Sequence, residues 1–372
     1  MNMVRRQSSA TWLLLAYLAL IVYASLYPFW PWTWPPGMAL RDLIGLPWPK
    51  YFGNFDMQAN ALGYAPLGLL GLAAGLRSGL SLRGALLLGL LPAPALSFLL
   101  ETLQFFLPGR VPSSLDWLLN VGGAWMGVLL GLLLNHFGGL RRWHELRAYW
   151  FQPHCAGALA LLALWPVGLL FPTPVPLGLG QWLPRLQSLA VSALEDTPWA
   201  LQWAEDADVA LDMARALPPG VEAIIIALGL LAPSLLALAV AQRGWRRLWL
   251  VMGFLSLGML TTALSTAMNF GPQHAWAWLT LASWPGLAAG VILAALALLL
   301  PRRLCAAFGL LVLCALIALI NQAPTSPYLH MSLQAWEQGR FINLYGLAQW
   351  IGWVWPFASI AWLLTLIGRR SL

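Results

Sequence analysis

The sequence predicts an all-α fold: a polytopic transmembrane helix bundle of about ten helices with both termini cytoplasmic. Two observations carry the fold class. Hydrophobic residues make up 60% of the chain and charged residues 9%, and apolar stretches long enough to cross hydrocarbon recur along its whole length. A third observation sets the orientation. Arginines fall in every second gap between the apolar stretches, at Arg5 and Arg6, Arg77 and Arg83, Arg141, Arg142 and Arg147, Arg243, Arg246 and Arg247, Arg302 and Arg303, and Arg369 and Arg370. The positive-inside rule makes that side cytoplasmic. The net charge of +7 is thus a topology signal, because the basic residues form short doublets between apolar runs and build no continuous nucleic-acid patch.

In order along the chain, the first span is expected at 11–27, after Arg5 and Arg6. Val22-Tyr23-Ala24 fits a small-x-small cleavage site, but the aromatic run from Tyr27 to Trp34 follows at once and reads as an outer interfacial anchor of a retained helix. Further spans are expected at 58–76, 84–107 and 116–136. Pro92 and Pro94 bend the third, since each removes a backbone donor. A basic cytoplasmic linker, 138–153, separates the N-terminal four-helix membrane domain, 1–137, from a six-helix membrane domain, 154–372. The second domain has expected spans at 155–171, 221–241, 248–268, 276–299, 304–320 and 347–367. Its long outer loop, about 172–220, holds Glu195, Asp196, Glu205, Asp206, Asp208 and Asp212. Within it Trp199, Trp203, Val209, Leu211, Met213 and Leu217 fall at the spacing of a surface-lying helix. Cys155, Cys305 and Cys314 sit in spans or at their cytoplasmic ends and form no disulfide framework.

Polar residues are scarce enough that their clustering carries information. Asp56 and Asn60 begin the second span, Glu101 and Gln104 end the third, and Asp116 and Asn120 begin the fourth. Within each pair the spacing places both side chains on one helical face. At a rise of 1.5 Å per residue, Glu101 lies about 9 Å inside its helix end and Asn120 about 6 Å inside the next helix start, so the two meet at similar depth. A carboxylate left in hydrocarbon costs roughly 2.5–3.5 kcal/mol on insertion scales, so Glu101 must face protein, a ligand or water. Arg110, on the turn between the third and fourth spans, is the nearest candidate partner, and such a pair serves equally well to lock a hairpin. One arginine does not neutralise Asp56, Glu101 and Asp116 together, and this surplus points to a site.

The pattern Asp56-x-x-x-Asn60, Pro66-Leu67-Gly68, Glu101-x-x-Gln104-Phe105, Arg110, Asp116-x-x-x-Asn120-x-x-Gly123 resembles the VanZ-like family of bacterial membrane proteins, named after a glycopeptide-resistance accessory protein. The resemblance covers about residues 12–135 and leaves the C-terminal half without a counterpart. It implies a multi-pass protein of the bacterial cytoplasmic (inner) membrane and a role in the cell envelope. For the founding member it implies a link to resistance to teicoplanin-type antibiotics, with no settled reaction.

On this basis Glu101 and Asp116 are the candidate acid and base, and Arg110, Asp56, Asn60, Gln104 and Asn120 the candidate binding residues. The expected ligand is an anionic lipid-linked or amphipathic envelope molecule at the outer leaflet. Whether the chain is an enzyme is left open, because structural networks produce the same acid and base pairing. A proton-coupled transporter or flippase would use Glu101 as its coupling group, and a non-catalytic accessory protein would tolerate its neutralisation. No nucleotide fingerprint and no metal-ligand spacing is present, so no cofactor is implied. Asn269, Gln273 and His274 fall on the outer turn between the seventh and eighth spans, and His330, Glu337, Arg340 and Asn343 on the outer loop before the tenth; the histidines read as solvated groups and Arg340 with Glu337 as a local helical pair.

Overall fold

The computed structural model describes residues 9–27, 29, 31–51, 53–153, 155–194, 217–324 and 342–368. The chain is all-helical over these residues, as the sequence predicts. It divides into two compact units, Met1–Ala148 and Tyr149–Leu372. Arg5, Arg6, Arg369 and Arg370 lie outside the described residues, as do the outer-loop acids from Glu195 to Asp212, most of the expected surface stripe, and His330, Glu337 and Arg340.

In the first unit α1 (Ser9–Leu26) is followed by a short 3₁₀ turn, Leu40–Ile44, and then by α2 (Asn54–Arg77). The expected third span is two pieces, α3 (Leu82–Leu90) and α4 (Pro92–Gln104), broken at Leu91. The break follows from proline chemistry. Pro94 has no N–H for the Leu90 carbonyl, and the Trp125 indole donates to that oxygen instead, at 3.3 Å. The span ends at Gln104 and not at 107, because Phe106 and Leu107 bond back by three residues to Leu103 and Gln104 (3.1 Å each) and tighten the last turn. α5 (Ser114–His136) is the fourth span. Most of the expected basic linker, 138–153, is helical as α6 (Gly139–Trp150), since neither Gly nor Pro interrupts the chain between Gly139 and Pro153.

α2 and α5 approach backbone to backbone. Gly123 lies against the Ala61 carbonyl, Gly127 against that of Ala65, and Gly68 against that of Ala124, so a Cβ at any of the three would strike main chain. Lipid tails are as apolar as leucine and supply no hydrophobic drive between helices. Small residues that allow close van der Waals approach supply the association instead. Beside this seam Ile21, Tyr64, Leu67, Ala93, Leu100 and Ala124 form a small apolar core.

In the second unit α7 (Ala156–Leu169), α8 (Leu183–Leu194), α9 (Pro219–Val240), α10 (Arg246–Phe270), α11 (Ser283–Ala297), α12 (Arg302–Ile320) and α13 (Ile342–Gly368) follow in order. α9 is apolar all round and buried on almost every face from Ile225 to Val240, which makes it the axis of the unit. Gly286 and Gly290 of α11 lie against Ala223 and Ala227 of α9, and Gly229 of α9 lies against the Leu177 backbone. α11 starts at Ser283, later than the expected 276. Thr280 and Ser283 exchange bonds there, each backbone N–H donating to the other's hydroxyl at 3.2 and 3.3 Å, which stops the helix. Arginine caps helix ends on the expected cytoplasmic side: Arg247 donates to the Leu298 and Leu300 carbonyls past α11 (2.8 Å each), and Arg302 to the Ala241 carbonyl past α9 (3.0 Å).

Among the described residues, seven helical stretches are long and apolar enough to cross a membrane, including Leu82–Gln104 taken as one span. The shorter apolar helices at Ala10–Leu26, Ala156–Leu169 and Ser283–Ala297 occupy three further expected spans.

Candidate functional site

The polar cluster forms where α4 ends and α5 begins. Ser113 is the N-cap of α5, and its hydroxyl accepts the backbone N–H of Asp116 at 3.2 Å. In an ordinary capping box a side chain three residues on would return to the cap's own N–H. Here Glu101 of α4 does so: the Ser113 backbone N–H donates to Glu101 Oε2 at 2.9 Å, with Glu101 only 5% exposed. Glu101 and Asp116 thus both stand at the positive end of the α5 dipole, which favours negative charge. Glu101 is also within electrostatic reach of Arg110 and Asp116.

Arg110 faces a different element. Its Nε donates to the Tyr27 carbonyl (3.1 Å), and its Nη2 to the carbonyls of Tyr27 (2.7 Å) and Ala24 (3.2 Å). Gln104 adds a bond from Nε2 to the Ser25 carbonyl at 3.3 Å. Together they close the C-terminus of α1, whose last carbonyls have no partner within the helix. Burial pulls the Arg110 pKa down, and the Glu101 carboxylate pushes it back up. Guanidinium stays charged through such a shift.

Deeper in α5, Asn120 is 3% exposed, and its Nδ2 donates to the buried Ser97 hydroxyl of α4 at 3.0 Å. Its carbonyl oxygen Oδ1 is buried with no hydrogen-bond partner. The Tyr64 hydroxyl of α2 reaches Ser97 and Ser25, so one polar patch links α1, α2, α4 and α5. The segment after α1 is tied over it: Thr33 N–H donates to the Phe106 carbonyl (2.9 Å), Ser114 N–H to that of Pro47 (3.0 Å), and the Trp34 ring packs 5.3 Å from that of Phe106.

The structure therefore brings Glu101, Asp116, Gln104, Arg110 and Asn120 to one end of the unit. Asn60 is half-buried on α2, next to the Ala61 position of the glycine seam. Asp56 falls in the first turn of α2, and its side chain lies outside the described residues. Sequence reasoning missed Ser113, Ser97 and Tyr64, although signals were present. Ser113-x-x-Asp116 ahead of an apolar run is a capping signature. Ser97 and Tyr64 each stand four residues from a residue that was identified, Glu101 and Asn60, on the same helical face.

A bundle of membrane-length apolar helices makes this a multi-pass membrane protein. Its N-terminal segment, residues 10–135, matches the family model described as VanZ/LLP1, which is the stretch over which the sequence pattern resembles that family. No curated protein and no solved structure matches the chain.

Proposed function

We propose that this chain is a VanZ-like component of the bacterial cytoplasmic membrane that binds the polar head of an amphipathic envelope molecule at the Glu101–Asn120 patch. The observation that carries this reading is the Asn120 carbonyl oxygen, buried and unpartnered between α4 and α5. A buried acceptor without a partner costs about 1–3 kcal/mol, a penalty that a ligand donor removes. Two acceptors belong to the same cluster: Asp116 stands one helical turn before Asn120 on α5, and Glu101 one turn after Ser97, the hydroxyl that Asn120 bonds. Arg110 commits its Nε and Nη2 to main-chain carbonyls of α1. That balance favours a head rich in hydroxyl or amide donors over a purely anionic one. Binding is favoured over acid and base chemistry, because Glu101 already serves as the cap of α5.

The test is mass-spectrometric identification of amphiphiles that co-purify with the full chain from its native membrane. Asn120→Leu and Asn120→Ala, which both remove the acceptor, are expected at unchanged membrane abundance to lose the species that wild type retains. Retention of the same species by both variants refutes the site.

A further inference from the structure

A cavity lies wholly within the Tyr149–Leu372 unit, where α7 and α10 end and α9 begins. Its volume is about 570 Å³, and its lining includes Leu169, Glu222, Thr262, Phe270, His274 and Trp278. This is the size of a small-ligand pocket. Most hydroxyls in the wall are already engaged as donors to main chain: Ser265 to the Leu170 carbonyl (2.8 Å), Thr266 to that of Thr262 (2.9 Å) and Thr173 to that of Val175 (2.7 Å).

Two groups are not engaged. Thr262 Oγ1 and Trp278 Nε1 are buried without a partner, and each residue is 7% exposed. An indole N–H only donates, so what it awaits is an acceptor. The wall also carries one carboxylate, Glu222, in the first turn of α9, and neither lysine nor arginine is among the described lining residues. Unpaired donors call for an acceptor oxygen, and a wall that holds a carboxylate and neither lysine nor arginine suits a cation next to it. Phe270 and Trp278 add aromatic surface, which suits an ammonium. The neighbouring Trp276 and Trp284 are 55% and 60% exposed, as befits interfacial residues.

We propose that this cavity binds a headgroup in which an ammonium stands a few bonds from an acceptor oxygen. Glu222 and the Phe270 ring take the ammonium, the Trp278 indole and the Thr262 hydroxyl donate to the oxygen, and Leu169 receives the adjoining apolar part. The assignment is independent of the Glu101–Asn120 patch. The same chemistry occurs in an ethanolamine lipid and in a free amino alcohol, and the experiment separates them.

The test is native mass spectrometry of the full chain with equal amounts of phosphatidylethanolamine and phosphatidylglycerol. The ethanolamine lipid is expected to be retained about 10-fold over the glycerol lipid, the worth of one charge-assisted hydrogen bond. Glu222→Gln and Trp278→Phe should each abolish most of that preference, and Glu222→Gln, at a half-buried position in the first helical turn, is the variant that leaves the fold intact. Displacement by excess free ethanolamine assigns the site to the amino alcohol alone, and persistence of the lipid assigns it to the lipid. Equal retention of the two lipids, preference for the glycerol lipid, or unchanged preference in a folded Glu222→Gln protein overturns the proposal.

Discussion

In Met1–Ala148 the helices touch main chain to main chain. Gly68, Gly123 and Gly127 let α2 and α5 meet with no side chain between them, and a polar patch at one end ties α4 to α5 and to the end of α1 by hydrogen bonds. In Tyr149–Leu372 a single helix, α9, is wrapped by its neighbours, and large side chains such as Trp165, Leu230, Leu235, Leu236 and Leu313 fill the interior. The first unit resembles a zipper of small residues closed by a polar clasp. The second resembles an apolar core built around an axis. Hydrocarbon supplies no hydrophobic drive in either case, so each relies on dispersion and on satisfied polar groups, in different proportions.

That contrast can be broken most directly at the seam. Gly127→Leu forces a side chain into the Ala65 carbonyl, where no rotamer escapes main chain. A loss of about 3 kcal/mol or more is expected, at the top of the overpacking range, seen as failure to yield a monodisperse full-length protein by size-exclusion chromatography. Should Gly127→Leu behave as wild type, the zipper account of the first unit is wrong.

In the second unit the corresponding attack is truncation. Leu236 is fully buried on α9, and Leu236→Ala should cost about 2–4 kcal/mol through lost contacts and a residual cavity. A scanning-fluorescence melt in detergent reads this as a clear fall in Tm.

A smaller effect is expected at the clasp. Glu101→Ala leaves the buried Ser113 N–H without an acceptor, at a cost of about 1–3 kcal/mol. Glu101→Gln keeps an acceptor oxygen and should lose less than half as much in the same melt. If the two variants destabilise equally, charge at the α5 terminus outweighs the hydrogen bond.

The smallest effect sharpens the first. Gly122 adjoins Gly123 but has open space where a Cβ would stand, so Gly122→Ala should be neutral or stabilise by up to about 1 kcal/mol through helix propensity. Destabilisation there would mean that α5 tolerates no change at all, and the seam would lose its specificity.

Much of the membrane architecture was legible before any coordinates, because hydropathy and breaker residues act locally. The pieces α3 and α4 follow from Pro92 and Pro94, and the joint position of Glu101, Arg110, Asp116 and Asn120 follows from helical spacing. Partner choice was not legible. Arg110 stands six residues from Asp116, yet its Nε and Nη2 donate to the Ala24 and Tyr27 carbonyls at the end of α1, more than eighty positions away. The Trp125 bond to the Leu90 carbonyl depends likewise on how α5 lies against the break. Gly123, Gly127 and Gly131 repeat at four-residue intervals on α5, a small-residue pattern that the sequence does carry. Which helix it meets is written nowhere along the chain.

The sequence by itself determined that the chain is a bundle of apolar helices, bent at Pro92 and Pro94, and that its rare polar groups cluster near helix ends, because periodicity and composition are properties of neighbouring residues. Only the tertiary structure decided what those groups do to one another. It made Glu101 the cap of a different helix, turned Arg110 toward α1, left the Asn120 carbonyl unpartnered, and opened a cavity lined by Thr262 and Trp278. A hydrogen bond is decided within about 3 Å, and distances that short between remote residues exist only once the helices have packed.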